Sequence, residues 1–178
     1  MKKVLLITAT TFLAACNIKF INSSTTLKNE VITPTTEHFV GEWECAMNGV
    51  AATTNKVKLG KDGKANYLGN VTLPAEKPIF NYALERSGSW KFADNTLTYS
   101  FTQSKVSRAH ADEVQANLQA NQELQSLEQQ YFDALNQQTK KSGKTNVNLA
   151  VSNFTTKAFS VEQKVAETVR SGNCVRVL

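Results

Sequence analysis

The stretch Ser89-Trp90-Lys91-Phe92-Ala93-Asp94-Asn95-Thr96-Leu97-Thr98-Tyr99-Ser100-Phe101 decides the fold class. Trp90 and Phe92 alternate with Ser89 and Lys91, Ala93-Asp94-Asn95 has turn chemistry, and Leu97, Tyr99 and Phe101 alternate with Thr96, Thr98 and Ser100. Period-two alternation on both sides of a short turn predicts a β-hairpin. Every apolar residue falls on one face, so that face must lie against a core and the other must meet water.

Working outward, the same grammar recurs. Phe39-Val40-Gly41-Glu42-Trp43-Glu44-Cys45 reads as a first strand with partial alternation. Lys56-Val57-Lys58-Leu59 leads into the turn Gly60-Lys61-Asp62-Gly63, after which Ala65, Tyr67, Gly69, Val71 and Leu73 share a face. Gly69 on that inward face suggests a bend or bulge. Ile79 to Glu85 forms a further strand-like run after Pro74 and Pro78, and strands resume at Asn146 to Val151, Thr156 to Val161 and Cys174 to Leu178.

Residues 107–141 differ in kind. They contain no proline or glycine and are rich in Ala, Gln, Glu and Leu, with Asp112 and Glu113 early and Lys140 and Lys141 late. That composition and charge order predict one long helix between strands, capped by Ser107 and ended by Gly143. Val114 and Leu118 share one face, while Leu124, Leu127, Tyr131 and Leu135 share a second, rotated one. The helix therefore bends or breaks near Asn121, or its halves meet different surfaces.

At the other end, Lys2 and Lys3 precede an apolar run, Val4 to Leu13, then two alanines and a cysteine. This is the build of a secretory signal peptide, too short to span a bilayer. Leu13-Ala14-Ala15-Cys16 resembles the lipobox of bacterial lipoproteins. The resemblance implies cleavage before Cys16, palmitate or a similar acyl chain on its thiol, and membrane attachment through lipid alone. In that family an aspartate after the cysteine favours retention at the inner membrane, so Asn17 points to the outer membrane with the domain in the periplasm. The division expected is a signal peptide over 1–15, lipidated cysteine and flexible tether over 16–37, and a folded domain over 38–178. Removing Lys2 and Lys3 with the leader takes the formal charge from +5 to +3, too mild for a nucleic-acid partner.

With Cys16 assigned to lipid, two of the three cysteines remain, Cys45 and Cys174. An oxidising periplasm permits them to pair, the alternative being two separate buried thiols. A disulfide would bring the first and last strands together, as a closed barrel requires, and closure also removes exposed edges. The fold expected is mainly β: an antiparallel barrel of about eight strands with one long inserted α-helix. Gly41-Glu42-Trp43 resembles the Gly-x-Trp signature of lipocalins. That resemblance implies a tryptophan closing the barrel base against a basic residue near the C-terminus, either Arg176 or Arg170.

No catalytic constellation emerges. His38 and His110 are the only histidines, and no His-x-x-x-His or Cys-x-x-Cys spacing, nucleophile elbow or phosphate loop is present. Both histidines are expected in solvent, and the chain is read as a non-enzyme without a cofactor. Lys56, Lys58, Lys61 and Lys64 cluster on one hairpin, as a solvated strand face or as a patch for anionic lipid or an acidic partner. Two functions follow. The favoured one is a protein-binding module in the envelope, such as an inhibitor, immunity or assembly factor, contacting its partner through Val114, Leu118, Leu124, Leu127, Tyr131 and Leu135. The other is a lipocalin-like carrier with Trp43, Tyr67, Trp90, Phe92, Tyr99 and Phe101 around an apolar or amphipathic ligand. That reading requires an open cavity of at least roughly 300 Å³.

Overall fold

The computed structural model describes residues 32–48, 54–141 and 144–178. The leader, the lipobox with Cys16, most of the tether and Gly143 lie outside the described residues. The elements run α1 (Thr36–Phe39), β1 (Gly41–Met47), β2 (Thr54–Leu59), β3 (Lys64–Leu73), β4 (Phe80–Ala93), β5 (Thr96–Arg108), α2 (Asp112–Ala120), α3 (Gln122–Lys141), β6 (Thr145–Ser152), β7 (Ala158–Val165) and β8 (Thr168–Arg176). Each strand pairs antiparallel with the next, and β8 returns to β1, closing an eight-stranded barrel.

The β4–β5 hairpin is the one the sequence announces. Asp94 and Asn95 both take positive φ, 50° and 54°, the conformation that a two-residue turn between twisted strands demands and that Asp and Asn tolerate. The run Ile79 to Glu85 and the Trp90 strand turn out to be one strand of 14 residues. The bulge lies between Ser87 and Gly88, not at Gly69. A Cβ on Gly88 would fall on the backbone of Ser100 and Phe101, so glycine is what allows β4 and β5 to stay paired through the bulge.

Strand length separates two cores. β5 pairs with β6 only from Thr96 to Phe101, while its pairing with β4 continues to Arg108. β3, β4 and β5 thus project past the rim, and their inward residues there form a second cluster around Phe80, Tyr82 and Val106. The helical insertion covers it. The helix expected over 107–141 is corrected at its start, while the bend or break expected near Asn121 is present. Ser107 and Arg108 finish β5, so Ser107 caps nothing, and helix begins at Asp112. Helix also breaks at Asn121, which is extended and whose side-chain oxygen accepts hydrogen bonds from the Glu123 and Leu124 amides at 3.0 Å. Asparagine is a strong N-cap, so it starts α3 rather than continuing α2.

The base of the barrel is aromatic. Phe39 packs on Phe92, Phe154 and Phe159 with ring centroids 4.5, 4.9 and 5.3 Å apart, and Trp43 packs edge-on to Phe159 at 4.7 Å. Within the expected tether, which runs to residue 37, the Ile32 amide donates to the Phe154 carbonyl, and α1 follows. Of the two arginines considered for the base, Arg176 fills the place. Its guanidinium carbon lies 4.1 Å from the Trp43 ring, and it donates to the carbonyls of His38, Val40 and Thr156 at 2.6, 2.9 and 2.9 Å. Gly41 has φ +133°, and a Cβ there would sit 2.5 Å from an Arg176 nitrogen. The glycine is needed for backbone conformation and for the arginine's approach.

Cys45 and Cys174 are direct cross-strand neighbours in the β1–β8 ladder and form a disulfide across 129 positions of sequence. The bond fastens the barrel where first strand meets last. In the chain-entropy account, a closed loop of this size stabilises by on the order of 5 kcal/mol. Urea unfolding with and without reductant should therefore show a midpoint lowered by reduction, and Cys45→Ser with Cys174→Ser should reproduce the reduced curve without further change on adding reductant.

Candidate ligand-binding site

The alternation along β4 places Tyr82, Leu84, Arg86, Gly88 and Trp90 on the inward face. Arg86 is the exception in chemistry: a cation between the second cluster, which contains Tyr82 and Leu84, and the barrel core, which contains Trp90. Directly across from it on β3 is Tyr67, and on β5, which pairs with the other edge of β4, Phe101 and Tyr99 stand opposite Gly88 and Trp90. Arg86, Tyr67, Tyr99 and Phe101, with Asn55, Val147, Gln163 and the disulfide, line a cavity of about 140 Å³ in the upper barrel. The Arg86 guanidinium carbon stands 5.8 Å from both the Tyr67 and Phe101 rings.

Among the described residues, three buried polar atoms on this inward face have no hydrogen-bond partner: Arg86 Nε, the Tyr99 hydroxyl and Thr145 Oγ1. Thr145 sits opposite Phe101 in the β5–β6 ladder. Tyr99 is 5% exposed. Its hydroxyl is held well above the usual phenol range, first by burial and then by Tyr67. Burial also raises Tyr67, with Arg86 pulling the other way. Both phenols thus stay protonated donors at neutral pH. Buried donors without acceptors are rare in folded proteins; Arg86 and Tyr99 line the cavity, whereas Thr145 does not.

The ladder beside the cavity is incomplete. β6 and β7 pair through only three couples, Ala150 with Glu162, Val151 with Val161 and Ser152 with Ser160. Above them β6 stays paired to β5 and β7 to β8, so the wall parts as a seam beside Val147, Leu149 and Gln163 of the cavity lining. A larger depression of about 780 Å³, which shares Val57, Tyr67 and Arg86 with the cavity lining, runs between Glu42, Lys56, Lys58, Glu85 and Lys105. It mixes both signs of charge. Lys58 pairs with Glu42 and Lys64 with Asp62, each at 2.9 Å and well exposed, as solvated strand faces do.

The six aromatic candidates divide. Trp43, Trp90 and Phe92 fill the lower barrel, with Trp43 Nε1 donating to the Phe39 carbonyl and Trp90 Nε1 to the Gly60 carbonyl. Tyr67, Tyr99 and Phe101 face the cavity. The interior is thus well short of the roughly 300 Å³ expected of a carrier, because rings occupy its lower half. The helix candidates require a correction too. Val114, Leu118, Leu124, Tyr131 and Leu135 pack on the second cluster beneath them, so most of the expected contact face is turned onto the protein itself. Leu127 alone of the six is classed as exposed, at 40%.

Sequence reasoning also missed the latch that seats the insertion. His110, expected in solvent, is 8% exposed and Glu128 is 4% exposed. Arg108 Nε donates to both Glu128 oxygens at 2.9 and 3.0 Å, and His110 Nε2 meets Glu128 Oε1 at 3.0 Å. The Asn81 amide donates to His110 Nδ1, which leaves Nε2 as the nitrogen that donates to the carboxylate. The Tyr82 hydroxyl donates to the Glu128 carbonyl, and Arg108 stacks 3.8 Å over Phe132. His38 is half-buried, stacked on Phe154. Among the described residues no three His, Cys, Asp or Glu side chains gather as metal ligands.

No family model matches the chain, and no curated protein matches it.

Burial alone would raise the Glu128 carboxyl, but the hydrogen bonds from Arg108 and His110 outweigh it and hold the group below the usual carboxylate range. A depressed native pKa stabilises fully above the unfolded value and is lost as pH falls through the native one. Acid should therefore loosen α3 first, seen as faster amide exchange in Gln122–Lys141 than in the barrel strands. Glu128→Gln should bring that loosening to neutral pH, at about 1–3 kcal/mol, and flatten its pH dependence.

Proposed function

We propose that this chain is an exported, lipid-anchored, non-catalytic binding protein of the bacterial cell envelope whose working part is the cavity of the upper barrel. The anchoring half of the reading rests on the sequence Met1–Cys16. The binding half rests on one observation above the others: the unpartnered Tyr99 hydroxyl and Arg86 Nε on the inward face of a barrel, both belonging to residues that line its cavity.

The size of the cavity limits what it takes. About 140 Å³ is close to the volume of engineered protein cavities that hold one benzene-sized molecule, on the order of 150 Å³. The ligand is small, a handful of heavy atoms, with a polar end for the donors and an apolar part for Phe101, Val147 and Leu149. The reading as a protein-binding module is left with Leu127 and the Gln-rich outer face of α3 as its contact surface, a weaker basis than the cavity.

Two experiments test the two halves. Cys16→Ser should abolish incorporation of labelled palmitate and release the domain from the membrane fraction; continued lipidation would overturn the anchoring. Small-fragment titration followed by methyl NMR should move Val147 and Met47, which line the cavity. Filling the space with Val147→Phe should remove those shifts while leaving the barrel folded. Fragments that leave those methyls unmoved throughout would overturn the cavity as the working part.

A further inference from the structure

We propose that the ligand of this cavity is a small monoanion, a short-chain carboxylate held by the Arg86 guanidinium and the Tyr99 hydroxyl; this rests on the cavity reading above. The chain has four arginines, and they form a control within one molecule. Arg108 has Glu128, and Arg176 has three backbone carbonyls. Arg170 is exposed. Arg86 alone is half-buried on the inward face with a buried, unpartnered Nε, and it forms no ion pair among the described residues.

The cavity lining supplies no counter-charge. It contains Asn55 and Gln163 but no Asp or Glu. A guanidinium cannot shed its proton to escape burial, so it stays a cation looking for an acceptor. The two orphaned atoms on cavity-lining residues, Arg86 Nε and the Tyr99 hydroxyl, sharpen the class, because both belong to groups that can donate. An ionised carboxylate only accepts, so it complements two donors where an amide or alcohol would set its own protons against them. The rings of Tyr67 and Phe101 beside Arg86, and Val147 and Leu149 beyond, suit a short apolar tail. A longer tail would leave through the seam between β6 and β7.

Calorimetric titration of the full chain in detergent micelles, with butyrate, butyramide and butylamine as probes, tests this. Butyrate should bind saturably, at least about tenfold more tightly than butyramide, with butylamine weakest. Arg86→Gln should bring butyrate down to the amide's level. Tyr99→Phe should weaken butyrate several-fold without lowering the melting temperature, since the hydroxyl it removes makes no internal hydrogen bond; this variant keeps the test decisive if Arg86→Gln misfolds. Octanoate distinguishes the sources: affinity equal to butyrate's means the end of an acyl chain, and exclusion means a free short acid. Equal binding of butyrate and butyramide, or butyrate binding untouched by both substitutions, would overturn the anionic class while the cavity reading stands. If neither butyrate nor butyramide moves the Val147 and Met47 methyls, the cavity reading falls with it.

Discussion

The constraint on which the structure depends is a mismatch of length. β4 and β5 carry 14 and 13 residues, whereas β6 and β7 carry 8 each. Strands of unequal length can close a barrel only over the span they share, so the long pair must project. The inward face of a projecting strand is as apolar as the part inside, here Phe80, Tyr82 and Val106, and cannot be left to water. The insertion between β5 and β6 meets that need at the point where the chain leaves the longer strand. Its two helices are there as a second wall, and the break at Asn121 lets the apolar faces of α2 and α3 both turn to the sheet.

Arg86 belongs to the same logic. It stands where the enclosed barrel gives way to the helix-covered extension, with one aromatic core below it and another above. A leucine or valine there would have joined the two cores into one. The position instead carries a charge, and the space around it stays open at about 140 Å³ while the regions above and below are filled. Interiors pack densely wherever shape alone decides, and the open space here coincides with the one inward arginine that, among the described residues, forms no ion pair.

Much of this was legible from residues. Alternation about Asp94 and Asn95 specified the hairpin and its face, and the removal of Cys16 from the count left Cys45 and Cys174 to pair, as they do. The resemblance of Gly41-Glu42-Trp43 to a lipocalin signature implied a basic residue beside the tryptophan, and Arg176 stands 4.1 Å from the Trp43 ring. What failed failed for identifiable reasons. The helical apolar residues signalled burial correctly, but periodicity does not say against what, so an intramolecular face read as a docking face. His110 looked exposed because it sits beside Asp112 and Glu113, whereas its partners, Asn81 and Glu128, are distant in sequence. Arg86 was readable in principle: parity from Tyr82 to Trp90 puts it inward. A single charge on an apolar stripe is easily passed over when the strand is taken as two pieces.

The barrel's two weak points are treated differently. The junction of β1 and β8 brings together the two ends of the chain's sheet, and a disulfide crosses it at Cys45 and Cys174. The junction of β6 and β7 has three couples and no covalent bond, and it lies beside the cavity. The β6–β7 junction thus has the fewest bonds to break, while the disulfide holds β1 and β8 in register. Above the seam, the insertion is fixed through Glu128 to Arg108 and His110, residues at the end of β5 rather than on β6 or β7. The insertion is thus fastened to β5, and the short β6–β7 junction carries none of that fastening.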